Sequence, residues 1–469
     1  MRAEQAGKRR GGEWLSGRRA LVFGLARSGR AAVELLVARD AVVVGVDEGA
    51  AGRELEHGDW ARRHLQGGTS AAADPALLDG VDLLVLSPGI PTTHPLVQAA
   101  GARGVPVLSE IELAYRCGTA AVVAITGSKG KSTTVALTGC LLAAQGPKCE
   151  VAGNIGRPYS AVVDLVGPGD WVVLEVSSFQ LETVCDFHAH IAVLLPVSPD
   201  HLDRYPSFEA YAAAKSRIAQ HQTVADVLVV DPAAAHGAAL GRASVARVVG
   251  FGSTWNGTGV VVEGGELVWR AAGEREVLAA VDDVPLLGAH NLHNAMAALA
   301  VVRCVGPLGP GTRAALRAFR ALPYRMQPAG EIGGIHFVND SKGTTVDAVC
   351  AGLRGLGGTL ILGLGGRNKG LDFRTLRPHL GSVRAVLAYG EAAAEIERAL
   401  HGAARLLRVR DLDDMVAQAL AVGRPGDIFL FSPGCTSFDM FRDAEHRGRE
   451  FDAAVKRART RADEEAAHP

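Results

Sequence analysis

Short apolar runs alternate with longer alanine- and leucine-rich segments along most of the chain. The apolar runs are rich in β-branched residues, which is typical of buried strands, whereas the segments between them have the composition of helices. This alternation predicts an α/β fold in which mostly parallel strands are connected by crossover helices.

Three of the predicted strands lead directly into a glycine-rich turn, at 20–23, 121–125 and 360–362. Each is expected to begin a separate sheet, so the chain should form three domains. The predicted boundaries give a disordered extension at 1–17 and domains at 18–117, 118–322 and 323–469. A glycine-rich segment at about 251–280, with alternating apolar positions, predicts a small antiparallel excursion inside the middle domain.

Composition narrows the class of protein. The chain has 469 residues, of which 49 are basic and 50 acidic, and only 5% are aromatic. This balance argues against a nucleic-acid partner. The seven cysteines form no C-x-x-C pair, and no apolar run approaches the ~18 residues of a membrane span. We therefore expect a cytoplasmic protein without membrane insertion. A monomer is expected, although nothing in the sequence fixes the oligomeric state.

The strongest local pattern is ITGSKGKST at 125–133. It connects a predicted strand to a predicted helix at 135–145, so backbone N–H groups and the helix dipole should face one point, as in a phosphate-binding loop. Lys131 can then reach the terminal phosphates of a nucleotide, and the Ser132 hydroxyl can bind magnesium. Ile125 stands where the full G-x-x-x-x-G-K-[ST] pattern has its first glycine. An ordinary strand-to-helix turn is the alternative.

Polar residues follow the next predicted strands of the middle domain. Glu175 ends the apolar run that begins at 171. Ligands bind at this position in open α/β sheets, and a carboxylate there suits magnesium. His201 follows the run 191–195 and can ligate a metal or contact phosphate; a capping or core histidine is the alternative. Lys215 lies on a predicted helix at 208–220, where a lone lysine is normally a solvated surface charge.

The N-terminal unit reads GLARSG at 24–29, and Asp47 follows about 20 residues later. This is close to a dinucleotide fingerprint, with Ala26 at the middle glycine. It predicts binding of a nucleotide diphosphate, with Asp47 available to a ribose. The loop at 86–90 can close the same site. As a bare motif it also permits a nicotinamide-dependent oxidoreductase, which would need no second phosphate loop and would give an absorbance change with NAD.

In this order, the motifs resemble those of the Mur ligase family, and among its members the glutamate-adding ligases. The resemblance extends from about residue 18 to about residue 455. Its matching segments are SPGI (87–90), the phosphate loop (126–133), GNIG (153–156), EVSSFQLE (175–182), HLDRY (201–205), AHNLHN (289–294), PYR (323–325), NDSKGT (339–344), SPG (432–434), SFD (437–439) and RG (447–448).

The resemblance implies an ADP-forming ligase that joins D-glutamate to UDP-N-acetylmuramoyl-L-alanine through an acyl phosphate, in peptidoglycan precursor synthesis. It implies a Rossmann-like N-terminal domain for the UDP substrate and a central P-loop ATPase domain. A Rossmann-like C-terminal domain would close over ATP and the amino acid. The implied cofactors are ATP and Mg2+, with a carbamate on Lys215.

The resemblance also assigns site residues, each by its position in a matching motif. The catalytic residues would be Lys131, Glu175, His201 and Lys215, and magnesium would be held by Ser132, Glu175, His201 and Lys215. ATP would contact Gly127, Ser128, Gly130, Lys131, Ser132, Thr133, Asn291, Asn294, Arg325 and Asp340. The two other substrates would contact Leu25, Ala26, Arg27, Asp47, Ser87, Gly89, Asn154, Lys342, Thr344, Lys369, Ser437 and Phe438.

The chain departs from the family pattern at a few positions. Ser198 and Pro199 stand where Thr-Glu is usual, Tyr324 replaces a common histidine, and Lys129 replaces a common asparagine. The enantiomer of glutamate is not fixed by the sequence. The alternatives within the same chemistry are a related ligase for another amino acid and a folylpolyglutamate synthase. A nucleotide-sensing protein without turnover is disfavoured by Glu175, His201 and Lys215 together.

Overall fold

The structure is a computed structural model that describes residues 11–49, 63–65, 69–70, 73–202, 204–252, 255–286, 288–320 and 322–467. It divides into two compact units, Met1–Val284 with His293–Phe319, and Pro285–Leu292 with Arg320–Pro469. The predicted boundary at 117–118 therefore lies inside the first unit, and 285–292, which was predicted in the central domain, groups with the second. No helix among the described residues is long and apolar enough to cross a membrane.

The N-terminal part of the first unit is a five-stranded parallel sheet in the order β3-β2-β1-β4-β5. This order is that of a Rossmann-like sheet, so the prediction for this domain is confirmed. Its elements are β1 (Arg19–Phe23), α1 (Arg27–Val37), β2 (Val42–Val46), β3 (Thr69–Ser70), β4 (Leu83–Leu86), α2 (Pro95–Ala102), β5 (Val107–Ser109) and α3 (Glu110–Cys117).

The predicted disordered extension at 1–17 is too long. Its first ten residues lie outside the described residues. Glu13–Leu15 form a short 3-10 turn, and the Leu15 side chain is fully buried in the same cluster as Val22 of β1. Burial of one leucine contributes about 1.5–3 kcal/mol, so this turn is part of the folded unit.

The central part of the first unit is a nine-stranded sheet in the order β14-β13-β12-β11-β10-β9-β6-β8-β7, parallel except for β12–β14. The predicted antiparallel excursion is therefore confirmed. The elements are β6 (Ala121–Thr126), α4 (Lys131–Ala143), β7 (Cys149–Gly153), β8 (Trp171–Glu175), α5 (Ser178–Leu181), β9 (Ile191–Leu194), α6 (Phe208–Ser216), β10 (Val227–Val230), α7 (Ala235–Ala243), β11 (Arg247–Phe251), β12 (Gly259–Glu263), β13 (Glu266–Ala271), β14 (Glu274–Ala280), α8 (Ala289–Val305) and α9 (Pro310–Ala318).

The two sheets of the first unit share one hydrophobic cluster, which contains Val22 of β1, Leu36 of α1, and Val172 and Leu174 of β8. Within the central sheet, Ile125 pairs with Glu175 of β8 and with Val193 of β9. The carboxyl ends of β6, β8 and β9 therefore lie at one edge, where open parallel sheets bind ligands.

The second unit contains a six-stranded sheet in the order β15-β16-β20-β17-β18-β19, parallel except for the β15–β16 pair. Separate apolar clusters cover its two faces, so it is also a doubly wound sheet. Its elements are β15 (Gln327–Ile332), β16 (Ile335–Asn339), α10 (Val346–Gly355), β17 (Leu360–Gly365), β18 (Val383–Tyr389), α11 (Ala393–Leu400), β19 (Leu406–Arg408), α12 (Leu412–Val422), β20 (Ile428–Gly434) and α13 (Ala444–Ala467).

Candidate active site

The phosphate loop follows β6 and ends where α4 begins, at Lys131. The predicted helix start at 135 is thus too late, because Lys131 and Ser132 already belong to the first turn. Gly130 precedes the helix with φ 81°, and a Cβ on it would fall on Oδ1 of Asn294 in α8. Only glycine fits there, because both the backbone angle and the space exclude a side chain. The structure thus brings Asn294 against the loop, while Asn291 lies buried one turn earlier.

Lys131 folds back over its own loop. Its Nζ donates hydrogen bonds to the carbonyl oxygens of Gly127 at 2.8 Å and Ser128 at 2.9 Å. Ser132 and Thr133 are buried in the first turn of the helix. The lysine charge is therefore held at the helix N-terminus, where an anion is favoured by the helix dipole and by the N–H groups of the first turn.

Ser128 connects the phosphate loop to the loop after β9. Its hydroxyl donates to the Ser198 carbonyl at 2.8 Å and accepts from the Ser198 N–H at 3.0 Å, and the Tyr211 hydroxyl lies 3.2 Å away. The contacts with Ser198 use only its backbone. The departure from the family pattern at this position therefore leaves the connection intact.

Glu175 ends β8 as predicted and is buried, 4% exposed. Its Oε1 accepts a hydrogen bond from Asn154 Nδ2 at 3.0 Å, whereas Oε2 has no hydrogen-bond partner in the described part of the chain. Gly153, with φ 104°, lets the neighbouring strand approach closely, because a Cβ there would fall on the Glu175 carbonyl. A buried carboxylate oxygen without a partner is costly, so this atom is suited to a ligand.

Lys215 is not a surface residue, because its side chain is only 2% exposed in α6. Burial and the nearby positive charge of Lys131 hold the pKa of Lys215 well below its usual value, and the carboxylates of Asp200 and Glu175 only partly oppose this. Its Nζ lies 4.6 Å from the centre of the Tyr211 ring. An uncharged amine is the form that can add carbon dioxide, so this environment suits a carbamate.

His201 lies in the loop after β9 at a positive φ of 53°, and its side chain is half exposed. Its backbone N–H donates to Asp200 Oδ1 at 2.9 Å, and its ring meets the Phe179 ring edge-on at 4.8 Å. It is neither a core histidine nor a helix cap. Asp203, from the same motif, lies outside the described residues.

The donors around Glu175 fit magnesium better than a metal with a full protein cage. Within the described ranges, no three His, Cys, Asp or Glu side chains come together as a metal site. Magnesium is usually bound through one or two carboxylates plus substrate phosphates and water. The unpartnered oxygen of Glu175 and the buried hydroxyl of Ser132 match that pattern.

The fingerprint turn of the N-terminal sheet is stabilised by Asp47. Its Oδ2 accepts from the Leu25 N–H at 2.6 Å and its Oδ1 from the Gly49 N–H at 2.7 Å. Ser87 closes the turn from β4, because its hydroxyl donates to the Gly24 carbonyl at 2.7 Å. The structure thus brings Leu25, Asp47 and Ser87 together, and leaves Ala26, Arg27 and Gly89 exposed beside them.

In the second unit, Asp340 follows β16 and connects two neighbouring segments. Its Oδ1 accepts from the Met326 N–H at 3.2 Å and its Oδ2 from the Ser432 hydroxyl at 2.7 Å. Arg325 lies between Tyr324 and Met326, which both adopt positive φ, at 60° and 50°. Tyr324 stands where the family commonly has histidine. Its ring packs against Gly448 of α13 and occupies the space that a Cβ on this glycine would need.

Three loops at the carboxyl ends of β16, β17 and β20 converge in this unit. The Gly434 N–H donates to the Gly343 carbonyl at 2.8 Å, and Arg367 exchanges two backbone hydrogen bonds with Thr436, each 3.0 Å long. The predicted glutamate-contacting residues are carried by these loops. Lys342 pairs with Glu445, Ser437 is buried, and Thr344, Lys369 and Phe438 are partly or fully exposed.

Arg447 joins these loops from α13, and its role was not predicted. Its side chain is fully buried and donates to the Ser341 hydroxyl at 3.0 Å, the Ser341 carbonyl at 2.7 Å and the Cys435 carbonyl at 3.1 Å. Its Nη1 also lies 3.5 Å from the Tyr389 hydroxyl. Because arginine is rarely buried, the sequence does not indicate that Arg447 lies in the core; its only signal is the RG pair of the family pattern.

Three family models match the chain in succession. Residues 18–109 match the model described as Mur ligase MurD-like, N-terminal domain. Residues 125–302 match the Mur ligase middle domain, and residues 324–435 match the model described as Mur ligase, glutamate ligase domain.

Relatives with similar sequences extend over nearly the whole chain. The UDP-N-acetylmuramoylalanine--D-glutamate ligase of Acidobacterium capsulatum is 41% identical over 446 residues, which are 93% of this chain and 96% of that protein. The ligase of the same name from Myxococcus xanthus is 39% identical over 460 residues, 94% of this chain and 99% of that one. Among solved structures, MurF ligase from Thermotoga maritima in complex with ADP is 17% identical with a TM-score of 0.59, covering 95% of this chain and 99% of that one. That likeness supports the fold.

Proposed function

The chain belongs to the Mur ligase family, and we propose that it is the ligase that joins D-glutamate to UDP-N-acetylmuramoyl-L-alanine with cleavage of ATP to ADP and phosphate. The relatives at 38–41% identity over more than nine-tenths of the chain support this substrate pair. The reaction is a step of peptidoglycan precursor synthesis. Family membership removes the nicotinamide-dependent oxidoreductase as an alternative.

The observation that carries the proposal is the buried carboxylate of Glu175 beside the phosphate loop. Ile125 of the strand that leads into the loop pairs directly with Glu175, and the carboxylate has one oxygen without a partner among the described residues. Lys131 lies at the helix N-terminus, and its charge, like that of Glu175, acts on the buried Lys215. This arrangement supports binding of a nucleotide triphosphate with a divalent cation.

The chemistry follows from the poor reactivity of a carboxylate toward an amine. An oxygen of the alanyl carboxylate attacks the γ-phosphorus of ATP, and the bond from that phosphorus to the β–γ bridging oxygen breaks, which gives an acyl phosphate and ADP. The uncharged amine of glutamate then attacks the acyl carbon and loses a proton. Phosphate leaves from the tetrahedral intermediate and an amide remains. Positioning and charge neutralisation supply most of the catalysis in such transfers.

We assign the cation to Glu175, His201 and Ser132, with a carbamate on Lys215 as a further ligand. When bound, Mg2+ would neutralise charge on the transferring phosphoryl group. The carbamate is supported by the burial of Lys215 and by its lowered pKa, since only the neutral amine can react with carbon dioxide. It would convert the buried amine into an anion that suits a metal.

We assign the remaining contacts by motif. Lys131 binds the terminal phosphates of ATP together with the loop N–H groups. The adenosine end would be bound by Asn291, Asn294, Arg325 and Asp340. The uridine diphosphate would be bound by Leu25, Ala26, Arg27 and Asp47, with Ser87, Gly89 and Asn154 along the rest of the acceptor. The glutamate would be bound by Lys342, Thr344, Lys369, Ser437 and Phe438. Leu25 is fully buried, its N–H donates to Asp47 and its carbonyl accepts from Arg30, so it contributes to the site by shaping the turn.

The test is phosphate release from ATP and UDP-N-acetylmuramoyl-L-alanine with one amino acid at a time. D-glutamate should give turnover, whereas L-glutamate, lysine and diaminopimelate should give little. Turnover with a different amino acid would identify a related ligase instead. Turnover with a folate and glutamate, and none with the UDP acceptor, would support the folylpolyglutamate synthase alternative.

A further inference from the structure

Arg204 lies in the turn that follows His201 and contacts the loop after β4. Its guanidinium donates to the Pro88 carbonyl at 3.1 Å and to the Ile90 carbonyl at 3.3 Å. These two carbonyls flank Gly89, which is exposed and has no side chain to anchor it. Because the guanidinium is a rigid planar fork, one side chain fixes the backbone on both sides of Gly89.

Glu182 holds the guanidinium in this orientation. Its Oε2 accepts from Arg204 at 2.9 Å, and its Oε1 accepts from the Tyr205 hydroxyl at 2.6 Å. Thr92, from the N-terminal sheet, lies 3.5 Å from the same carboxylate. The side chains of Arg204 and Glu182 are only 17% and 14% exposed, so water and salt screen their attraction weakly.

The same arginine is coupled to the His201 turn. Its backbone N–H donates to the His201 carbonyl at 3.0 Å. Its guanidinium carbon lies 3.9 Å from the centre of the Phe179 ring, which also meets the His201 ring at 4.8 Å. A change at Arg204 therefore acts on the loop at 87–90 and on the turn that carries His201 together.

We propose that Arg204 is a positioning residue that fixes the 88–90 segment relative to His201. The alanyl carboxylate of the acceptor is thereby held where the γ-phosphoryl group of ATP arrives. This inference rests on the proposed function. Arg204 acts through the backbone of its neighbours, and its charge is balanced by Glu182.

A purely structural role and a positioning role differ in which kinetic constant they change. If the residue is only structural, its substitution lowers stability and does not change the kinetic constants of one substrate more than those of the other. A positioning residue for the acceptor lowers kcat/KM for the acceptor and leaves the KM for ATP unchanged. Displacement of a reacting group by about 1 Å can cost about a hundredfold in rate.

The experiment measures phosphate release by the full chain, with the acceptor varied at saturating ATP and D-glutamate, and then with ATP varied. For Arg204→Ala we expect kcat/KM for the acceptor to fall about tenfold to a hundredfold, with the KM for ATP within about twofold. Arg204→Lys should be intermediate, because an ammonium group cannot reach both carbonyls in the plane of a fork. Glu182→Gln keeps the shape of the anchor and should change the same constant in the same direction.

Arg39→Ala is the matched control. Arg39 is also 17% exposed and also connects the N-terminal and central parts of the first unit, through a bond to Asp164 at 3.1 Å. It follows α1 and precedes β2, so it lies at the amino ends of the strands, opposite the site. Its substitution should lower stability slightly and leave all constants within about twofold.

Two results would overturn the positioning role, provided that the wild type ligates. Arg204→Ala could behave as Arg39→Ala does, or it could weaken ATP and the acceptor equally. Failure of the wild type to release phosphate from the acceptor and D-glutamate would refute the proposed function itself, and the positioning role with it. The melting temperature of each variant shows whether lower activity comes from unfolding or from a displaced 88–90 segment in a folded enzyme.

Discussion

The phosphate loop of the first unit and the turn at 340–344 of the second unit are both proposed to bind substrates, but they are stabilised differently. In the first, strand ends and positive-φ glycines set the positions of Lys131 and Glu175, because backbones there approach too closely for a Cβ. In the second, hydrogen bonds that Arg447 donates and that the Asp340 carboxylate accepts fix the loops. Steric requirements of the backbone therefore leave a pattern in the sequence, whereas a side-chain network leaves almost none.

Two buried ionisable side chains, Arg447 of the second unit and Glu110 of the first, differ in how far their polar atoms are paired. Arg447 has its donors satisfied by oxygens of three residues. Glu110, at the junction of the two sheets of the first unit, accepts one bond from the Ser160 N–H at 2.6 Å, while its other oxygen has no partner among the described residues. Burial raises the pKa of Glu110 to about 7, and hydrogen bonding to Ser160 opposes this only in part.

The largest effect should come from Lys131→Ala, which removes the charge at the helix N-terminus and leaves the glycine-set backbone in place. We expect kcat to fall about a thousandfold, since loss of one preorganised donor to a developing charge has effects of this size. The melting temperature should hardly change. Lys148→Ala, at an exposed lysine before β7, is the control. Near-normal turnover in Lys131→Ala would show that the phosphate loop does not depend on the charge of Lys131.

Glu110→Gln should remove a pH dependence of stability. The folded-state pKa of about 7 lies above the ordinary value of 4.5, so the protonated form stabilises the fold. This stabilisation is fully present below about pH 4.5 and is lost as the pH rises through about 7, by about 3 kcal/mol in total. Urea midpoints of the wild type should fall over this window relative to those of Glu110→Gln. Parallel curves would mean that the carboxyl group is solvated.

Arg447→Met should lower stability by about 2–3 kcal/mol, because it leaves buried oxygens at Ser341 and Cys435 without donors. The KM for glutamate should rise more than the KM for ATP. Arg449→Met, at an exposed position of the same helix, should do neither. Equal behaviour of the two variants would show that the second unit does not depend on its buried arginine.

Gly130→Ala should weaken ATP binding about thirtyfold, or about 2 kcal/mol, because the new Cβ would displace Asn294. Gly146→Ala is the control for backbone strain alone. Gly146 also has positive φ, at 116°, but nothing lies within 4 Å of a Cβ there. Its substitution should cost about 1 kcal/mol of stability and leave ATP binding intact. Equal loss of ATP affinity in both variants would assign the effect to strain.

Much of the fold could be predicted because strands, turns and their order depend on local patterns. The three sheets and the antiparallel excursion follow from apolar periodicity, and Glu175 follows from its place at a strand end. The burial of Lys215 could not be derived in this way, because a single helical lysine looks the same whether it faces water or the sheet. The same is true of Arg447 and Arg204, whose partners lie far away in the sequence. The helix start at Lys131 was predicted too late, because lysine and serine carry no apolar signal.

The most direct measurement is trapping of the acyl phosphate. With UDP-N-acetylmuramoyl-L-alanine, ATP and hydroxylamine, and with glutamate left out, the wild type should form a hydroxamate of the acceptor in step with ADP. Lys131→Ala should form none above background. Ligation by the wild type without any trapped hydroxamate, or equal trapping by Lys131→Ala, would contradict phosphoryl transfer at this loop.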